Sequence, residues 1–354
     1  MSKHRIAVIA GDGIGPEVTR EAVRISEAAA AKNGSILEWN HLPWSSAYYL
    51  QHGFIVPADG WDQLRKHDAI LMGAIGSPQV PDTVTVHGLL LPLRRKFDLY
   101  VNLRPAYLFE GVDCPLKNKK PGEIDFLVYR ENTEGEYAPV GGRIYEGSPN
   151  EVAIQTGVFT RHGCERIFRA AFEAARKRKK QLTSITKSNA MAFGMVFWDS
   201  VCKEVAKDYP DVTVQSLLVD AAAMDFVRRP ERFDVVVASN LFGDILTDLS
   251  AVITGSLGLA ASANINPEKK FPSMFEPVHG SAPDIAGKGI ANPLAAILTT
   301  VLMLHHLGEP NAAHCVHNAV AALLKEAKVL PPDLGGKATT KEVGEAVLAK
   351  VMAS

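Results

Sequence analysis

The sequence predicts an α/β protein with at least partly parallel sheets, and three observations predict it. Short runs of β-forming residues alternate with longer segments of helical periodicity. Several of the short runs are apolar on both faces, as strands are when helices cover both sides of a sheet. The chain has 354 residues, of which 47% are hydrophobic and 22% charged, which is typical of a globular protein of two or three domains.

The predicted strands and helices follow one another along the whole chain without an internal repeat or a long linker. The strands are predicted at residues 6–10, 69–72, 124–129, 182–186, 212–219 and 234–238. The helices are predicted at residues 16–31, 89–97, 165–179, 191–206, 244–253, 294–306, 312–325 and 340–351.

Two segments differ from this alternation. Residues 137–149, rich in glycine and proline, and the following residues 152–159 are two short extended arms around a turn. We interpret them as a protruding hairpin and an interface element. Residues 176–180 are five consecutive basic residues, which we interpret as a solvated helix end that suits the helix dipole rather than as a nucleic-acid patch.

Charge and cysteine content restrict the partners and the compartment. With 38 basic and 39 acidic residues the net charge is −1, so no sequence-wide field favours nucleic acid or an anionic membrane. The four separate cysteines form no metal-ligand pattern and favour a reduced, cytoplasmic protein. The longest apolar stretch, 293–304, is too short to cross a bilayer, and the N-terminus lacks a secretory signal pattern.

A glycine motif follows the first predicted strand. Residues 11–17 read GDGIGPE, and their glycine spacing differs from the G-x-G-x-x-G of dinucleotide-binding Rossmann folds. Pro16 suits the first turn of a helix, and no acidic residue closes a second strand about twenty residues on. We therefore predict a tight strand-to-helix turn near a cofactor pocket rather than a Rossmann pyrophosphate site.

Two aspartates give the sharpest chemical signal. Asp244 and Asp248 are four residues apart and share one face of an otherwise apolar helix, where an unpaired charge would be costly. A hard divalent ion such as Mg²⁺ or Mn²⁺ would suit these oxygens, although a dipole interaction with a salt bridge is the alternative. A third carboxylate, Asp220, is available at the end of a predicted strand.

Arginines, a lysine and a tyrosine form further candidate groups. Arg94, Arg104 and Arg130 each lie at or near the end of an element, and guanidinium forks suit the carboxylates of a small polyanionic acid. Lys187 closes a predicted strand, and Tyr137 follows two glutamates. Beside a metal and arginines, such a lysine can act as a base and such a tyrosine can return a proton.

A long loop rich in glycine and proline occupies residues 276–293 and also carries His279, Asp284 and Asn292. Loops of this length are usually functional. Its backbone amides and Asp284 could hold a nucleotide, and an acidic side chain favours the free ribose hydroxyls of NAD over the 2′-phosphate of NADP.

Together these motifs resemble the isocitrate and 3-isopropylmalate dehydrogenase family of metal-dependent, decarboxylating dehydrogenases, over almost the whole chain. The matching segments are GDGIGPE at 11–17, LRRKFDLYVNLRP at 93–105, YRENTEGEY at 129–137, TKSNAM at 186–191, Asp220, NLFGDILTDLSA at 240–251 and EPVHGSAPDIAGKGIANP at 276–293.

The resemblance implies roles for these residues. Arg94, Arg104 and Arg130 would bind the malate part of a small hydroxy diacid, and Lys187 and Tyr137 would be the acid-base pair. Asp244 and Asp248, with Asp220 of the partner chain, would hold Mn²⁺ or Mg²⁺, and the resemblance also suggests K⁺. The loop would bind the adenosine of NAD, and its cofactor-binding residues would be His279, Gly280, Ser281, Ala282, Asp284, Ile285 and Asn292.

The resemblance also implies a two-lobed fold that is not Rossmann, in a homodimer with active sites between lobes and between subunits. Residues 1–103 and 257–354 would form a large α/β/α lobe with the cofactor loop. Residues 104–256 would form a small lobe with the dimer interface, the metal helix and a β clasp at about 137–159.

The segment before Arg94 indicates the branch of the family. Isocitrate enzymes have a serine and an asparagine where this chain has Gly88 and Leu90, and isopropylmalate enzymes have a glutamate where it has His87. With YRENTEGEY, the pattern resembles the tartrate and D-malate branch most, and His87 and Leu90 are predicted substrate contacts. A 3-isopropylmalate enzyme and a catalytically silent regulatory subunit remain the alternatives.

Overall fold

A ten-stranded mixed sheet organises the protein, for which the computed structural model describes residues 2–353. The strand order is β2-β1-β3-β12-β11-β4-β5-β10-β8-β9, and β6 and β7 form a separate hairpin. The strands are β1 Ser2–Gly11, β2 Ser35–His41, β3 Ala69–Ala74, β4 Val101–Tyr107, β5 Asp125–Glu131, β6 Gly141–Ile144, β7 Val152–Gln155, β8 Gln181–Thr186, β9 Thr213–Leu218, β10 Val235–Ala238, β11 Ala261–Ile265 and β12 Ser273–Pro277.

Helices cover the sheet. They are α1 Gly15–Lys32, α2 Ser46–His52, α3 Gly60–Leu64, α4 Asp82–Thr85, α5 Leu91–Lys96, α6 Arg161–Arg176, α7 Gly194–Ala206, α8 Val219–Arg228, α9 Asn240–Ile253, α10 Leu294–Leu307, α11 Pro310–Glu326 and α12 Thr340–Ala353. Within residues 2–353, no helix is both long and apolar enough to span a bilayer.

The buried strands show why the apolar runs of the sequence predict an α/β fold. In β10, Val235 and Val237 pack in the core beneath α6 and α7, while Val236 and Ala238 pack in the core beneath α8 and α9. Successive side chains of a strand point to opposite faces, so helices on both faces require an apolar residue at every position. The predicted α/β fold class is thereby confirmed.

The two ends of the sheet are parallel and its middle is antiparallel. β1 pairs in parallel with β2 and β3, and β8 pairs in parallel with β9 and β10. Between them, β4 pairs antiparallel with β5 and β11, and β11 pairs antiparallel with β12. The division into two lobes stays a prediction, because the sheet runs without a break through the predicted boundary.

Local chemistry sets several helix ends. Pro16 lies in the first turn of α1, which fits its fixed φ and missing N–H. The Thr160 side chain accepts a hydrogen bond from the Gly163 amide and caps α6. Gly308, with φ of 85°, ends α10 in the left-handed conformation.

The predicted hairpin and all eight predicted helices are present, with some changes. β6 and β7 pair antiparallel and are exposed along their length. The predicted strand 212–219 ends at Leu218, so Asp220 lies in the first turn of α8, which the sequence did not predict. The basic run 176–180 is less solvated than expected, because Arg178 donates to Asp234 and Asp125.

Candidate active site

A cavity of about 630 Å³ is lined by all five predicted substrate residues of one chain. Its walls come from the segment before and within α5, from β4 and β5, from α9, from the base of the hairpin and from the end of β12. Arg94, Arg104, Arg130, Tyr137 and Asp244 all line it. The sequence therefore predicts the side chains that meet there, although they come from five separate segments.

The three arginines are buried and held by carboxylates. Arg94 contacts Glu276 at 3.0 Å, and Arg130 and Arg104 contact Oδ1 of Asp244 at 2.6 and 3.2 Å. Burial, together with the neighbouring Arg104, lowers the pKa of Arg130 to about 9, and burial also lowers the pKa of Arg104. The cavity lining holds four guanidinium groups, those of these arginines and of Arg95, and three carboxylates, those of Glu136, Asp244 and Glu276, which leaves an excess of positive charge for a bound anion.

Tyr137 and Asp244 are directly linked. The Tyr137 hydroxyl donates to Oδ2 of Asp244 at 2.9 Å, and the Arg130 guanidinium lies 5.5 Å from the centre of the tyrosine ring. Burial and the Asp244 carboxylate raise the pKa of Tyr137, so the phenol holds its proton. Burial acts against the negative charge of Asp244, but Arg130 and Arg104 outweigh it and lower the pKa of that carboxyl group.

Asp248 lies one helical turn beyond Asp244 and is much more exposed. Its side chain is 62% exposed, and its carboxylate is 3.7 Å from Arg104. Partial burial raises the pKa of Asp248, because the attraction of Arg104 compensates only in part. This carboxylate therefore has oxygen lone pairs directed to solvent that another ligand can use.

Lys187 and Asp220 are placed elsewhere in the chain. They follow the neighbouring strands β8 and β9 and pair with each other, with Lys187 Nζ 2.8 Å from Asp220 Oδ1. Neither residue lines the cavity. Among residues 2–353, no group of three or more His, Cys, Asp or Glu side chains is arranged to hold a metal ion. The predicted catalytic and metal residues are therefore not all brought together within one chain.

The predicted specificity residues lie in an unusual turn. Val86–Leu90 forms a π-helix between α4 and α5, a conformation often found at functional sites. His87 and Leu90 line the cavity, as does Leu91 at the start of α5. The wider turn and the first turn of α5 thus place a histidine and two leucines near the three arginines.

The glycine motif supports the loop that is predicted to bind the cofactor. Asp12 accepts hydrogen bonds from the amides of Ser46 and Gly76, and the Ile14 amide donates to the carbonyl of Ser281 at 2.9 Å. Gly13 is required there, because its φ is 56° and a Cβ would lie 1.9 Å from that carbonyl oxygen. The turn therefore supports the loop.

In the loop predicted to bind the cofactor, some polar side chains already have hydrogen-bond partners and others are available for a ligand. His279 and Gly280 line the cavity, and His279 Nε2 is buried without a hydrogen-bond partner among the described residues. Asp284 is exposed, whereas Asn292 already donates to Asp333 and accepts from the amide of Leu294. The remaining predicted residues, Ser281, Ala282 and Ile285, lie between these positions and are half-buried.

Sequence reasoning missed two polar residues that support the arginines. Glu276 contacts Arg94 and also accepts a hydrogen bond from Asn264 at 2.9 Å. Glu276 belongs to a matching motif and could have been found there. Asn264 had no such signal, because the strand that carries it was not predicted.

Comparison with known proteins places the whole chain among relatives of one family. The family model described as isocitrate/isopropylmalate dehydrogenase matches residues 5–347. D-malate dehydrogenase (decarboxylating) of Escherichia coli strain K12 is 51% identical over 98% of this chain and 98% of that protein. Tartrate dehydrogenase/decarboxylase of Pseudomonas putida is 51% identical over 97% of this chain and 96% of that protein.

A solved structure shows the same arrangement of elements. Isocitrate dehydrogenase from Methylococcus capsulatus superimposes with a TM-score of 0.88 at 37% identity, over 98% of this chain and 99% of that one. The family model, the curated relatives and the solved structure agree, and the chain belongs to the isocitrate/isopropylmalate dehydrogenase family.

Proposed function

We propose that the protein oxidises small 2-hydroxy diacids with NAD in the presence of a divalent metal and decarboxylates the product. The reactions would be D-malate to pyruvate and CO₂, tartrate to oxaloglycolate, and meso-tartrate to D-glycerate and CO₂, the last with the hydride returned from NADH so that there is no net oxidation. The observation that carries the proposal is the cavity in which Arg94, Arg104 and Arg130 surround Asp244 and Tyr137. Relatives of about half-identical sequence are named for D-malate and tartrate.

Binding of a diacid follows from the charge of this cavity. A carboxylate can take two parallel hydrogen bonds from one guanidinium group. Four guanidinium and three carboxylate groups line the cavity, and three of the arginines, Arg94, Arg104 and Arg130, are buried, so the low local dielectric strengthens their ion pairs. A monoanionic substrate would use this excess charge less completely than a dianion.

A divalent metal fits the donor set only in part within one chain. Both oxygens of Asp244 already contact other groups, namely Arg130 and Arg104 on Oδ1 and Tyr137 on Oδ2, while Asp248 is exposed. Six oxygen ligands in an octahedral arrangement are usual for Mg²⁺ and Mn²⁺, with water supplying several. We infer that Asp244 and Asp248 would hold the ion together with the partner subunit's Asp220.

NAD fits the loop and the cavity edge. His279 Nε2 is a buried polar atom without a partner among the described residues, and Gly280 has open space around it. A nucleotide would supply a hydrogen-bonding group for the histidine, and Asp284 would accept from ribose hydroxyls. When bound, NAD accepts hydride and the divalent ion stabilises negative charge on the substrate oxygen.

The protein's own residues would bind the substrate and move protons. The arginines orient the diacid so that its C2 hydroxyl faces the partner subunit's Lys187, which accepts the hydroxyl proton as hydride leaves C2. After CO₂ is lost from the keto acid, the Tyr137 phenol returns a proton to the carbon. The raised pKa of Tyr137 keeps that proton on the phenol until it is needed.

In a homodimer with shared active sites, the cavity of one chain would meet the Lys187–Asp220 pair of the other. Exposed apolar residues lie on α8 and α9, including Met224 and Ile245, and on the hairpin, including Ile144 and Ile154. Such exposed apolar side chains mark interaction surfaces when they cluster. A two-fold dimer through this face would supply a second chain's Lys187 and Asp220 to each cavity.

Two alternatives remain for the substrate and for activity. Leu90 and Leu91 line the cavity and offer an apolar surface that an isopropyl group would use, so 3-isopropylmalate is the second candidate substrate. A silent regulatory subunit would lack at least one of Lys187, Tyr137 or the three aspartates, and all five are present.

A substrate panel tests the proposal. The purified protein would be assayed with D-malate, the tartrate isomers, 3-isopropylmalate and isocitrate, with NAD, with Mn²⁺ or Mg²⁺, and with and without K⁺. We expect the highest kcat/KM for D-malate or a tartrate. A kcat/KM for 3-isopropylmalate that is orders of magnitude higher would overturn the substrate assignment, and equal use of NADP would overturn the role of Asp284.

A further inference from the structure

The guanidinium group of Arg130 is hydrogen-bonded to Asn240, a residue with no role in the proposed chemistry. Arg130 Nε donates to the backbone carbonyl of Asn240 at 2.7 Å and to its side-chain Oδ1 at 3.1 Å, and Nη2 donates to the same Oδ1 at 2.7 Å. Asn240 is itself only 2% exposed. It is anchored in turn, because its Nδ2 donates to the carbonyl of Glu134 at 3.0 Å.

Hydrogen-bond counting shows what this arrangement leaves available. A guanidinium group has five N–H donors. Asn240 occupies those of Nε and one of Nη2, and Asp244 occupies one of Nη1 at 2.6 Å. One donor remains on each of Nη1 and Nη2, so two N–H groups are available to a substrate carboxylate.

The charge of Asn240 is as important as its position. A carboxylate at this place would also accept from Nε and Nη2, but it would neutralise a cation that is already paired with Asp244. The neutral amide and the backbone carbonyl instead hold the guanidinium without cancelling its charge. Arg130 is therefore fixed in position and still able to attract an anion.

A glycine on the same helix face makes room for the arginine. A Cβ at Gly243 would lie 2.6 Å from Cγ and 2.7 Å from Cβ of Arg130, closer than carbon atoms can approach. Asn240, Gly243 and Asp244 are spaced at i, i+3 and i+4 in α9 and so share one face. Asn240 accepts hydrogen bonds from Nε and Nη2 of Arg130, and Asp244 accepts one from Nη1. Gly243 leaves room for the Cβ and Cγ atoms of the same side chain.

We infer that Asn240 is a positioning residue for substrate binding. It holds Arg130 through neutral acceptors so that two N–H donors stay free for a substrate carboxylate, and Gly243 provides the space for the arginine stem. This inference rests on the proposed function, since the carboxylate would belong to the hydroxy diacid.

Two substitutions at position 240 separate a charge role from a merely structural one. Asn240→Asp keeps the shape and the acceptor for Arg130 but loses the donor to the Glu134 carbonyl, whereas Asn240→Ala loses both the acceptor and that donor. If Asn240 only supported the fold, Asn240→Asp would be the milder change for substrate binding. We expect instead that both variants raise KM for D-malate about tenfold to a hundredfold, with Asn240→Asp at least as severe.

The readouts are KM for the diacid, KM for NAD, kcat and the thermal midpoint. KM for NAD should stay within about twofold, because the Asn240 side chain bonds to Arg130 and Glu134 and to no residue of the loop 279–292. Asn266→Asp and Asn266→Ala are matched controls, since Asn266 is 1% exposed and bonds mainly to backbone groups away from the cavity. These controls should lower the thermal midpoint without raising KM for the diacid.

Gly243→Ala gives a second, independent variant. Alanine favours helix more than glycine does, so a loss of diacid binding in this variant cannot come from a weaker helix. An unchanged diacid KM in both Asn240→Asp and Gly243→Ala would overturn the inference. Absence of turnover by the wild-type protein on the whole substrate panel would instead overturn the proposed function, and calorimetric titration of D-malate would then still compare binding by the variants.

Discussion

The cavity and the Lys187–Asp220 pair are two charged regions of the same chain, and they differ in how completely the chain satisfies them. In the cavity, each of the three arginines contacts a carboxylate and is less than a tenth exposed. In the pair, Lys187 and Asp220 contact each other, with side chains 28% and 59% exposed. An ion pair as exposed as this contributes little to stability.

The difference indicates which charged side chains are fixed by contacts within the chain and which are available to contact a second chain. A buried arginine must be bonded where it lies, because an unpaired charge there would be very costly. An exposed lysine and aspartate can exchange their mutual contact for new partners at little cost. We therefore interpret the cavity as one preformed half of an active site and the pair as the half that each chain gives to its partner.

The largest effect should come from removing the lysine. Lys187→Ala should lower kcat by about 10²- to 10⁴-fold, because the base that accepts the hydroxyl proton is lost, while the cavity of the same chain keeps its contacts. Steady-state kinetics with D-malate measure this. Lys203→Ala is the control, since Lys203 is an exposed lysine on α7. A kcat close to that of the wild type in Lys187→Ala would exclude the lysine from the chemistry.

The next effect concerns the metal. Asp248→Asn should abolish most metal-dependent turnover and raise the Mn²⁺ concentration needed for half-maximal rate, because a charged oxygen ligand is lost. Titration of activity with Mn²⁺ after chelator treatment measures it. Asp208→Asn, in an exposed pair with Arg169, serves as the control. Near-normal activity without added metal would contradict the ligand assignment.

Mixing the two inactive variants tests whether the halves are shared between chains. In a mixed dimer of Lys187→Ala and Asp248→Asn chains, one site has both changes and the other has neither. Random reassembly should therefore restore about a quarter of wild-type activity. Activity after denaturation and refolding together, compared with each variant refolded alone, measures it. No recovery in confirmed mixed dimers would show that each site uses residues of one chain.

The smallest effect is expected at Glu309, whose carboxylate finds all of its hydrogen-bond partners within one chain. Glu309 accepts hydrogen bonds from Ser2, Ser35 and His4, which lower its pKa to about 2. Its folded pKa lies below the ordinary value of about 4.3, so this stabilisation is full above that pH and is lost as the pH falls toward 2.

Glu309→Gln should therefore lower the free energy of unfolding by about 1 kcal/mol at neutral pH, with a smaller difference between variant and wild type near pH 3. Denaturant unfolding at both pH values measures it, and kcat should be unchanged. A difference that stays constant between pH 7 and pH 3 would show that the carboxylate charge is not the cause.

The sequence predicted the covered strands and the long helices because their apolar periodicity is strong, as in the fully buried β3 and β10. It did not predict β2, β4, β11 or β12. These strands carry buried polar residues, and Asn102 on β4 bonds across the sheet to Ser262 and Asn264 on β11. Hydrogen bonds between distant segments replace apolar contacts there, and a pattern along the chain cannot show them.

The candidate site was predictable to a similar degree. Side-chain type and spacing identified the arginines, Tyr137 and the α9 aspartates. The structure brings the arginines, Tyr137 and Asp244 together in the cavity, and Asp248 lies 3.7 Å from Arg104. The supporting residues Asn240, Asn264 and Glu276 were not identified, because their effect depends on which side chain they orient. Whether Lys187 and Asp220 complete the site stays a prediction, since one chain places them apart from the cavity.

The position of β12 in the sheet has a consequence for synthesis of the protein. β12 lies between β3 and β11, so residues 69–71 of the first third pair with residues 273–275 of the last third. While the ribosome is still making the middle of the chain, the inner edge of β3 has no neighbour on that side. Such an apolar edge favours aggregation, so we expect the nascent protein to depend on chaperones until the final hundred residues emerge.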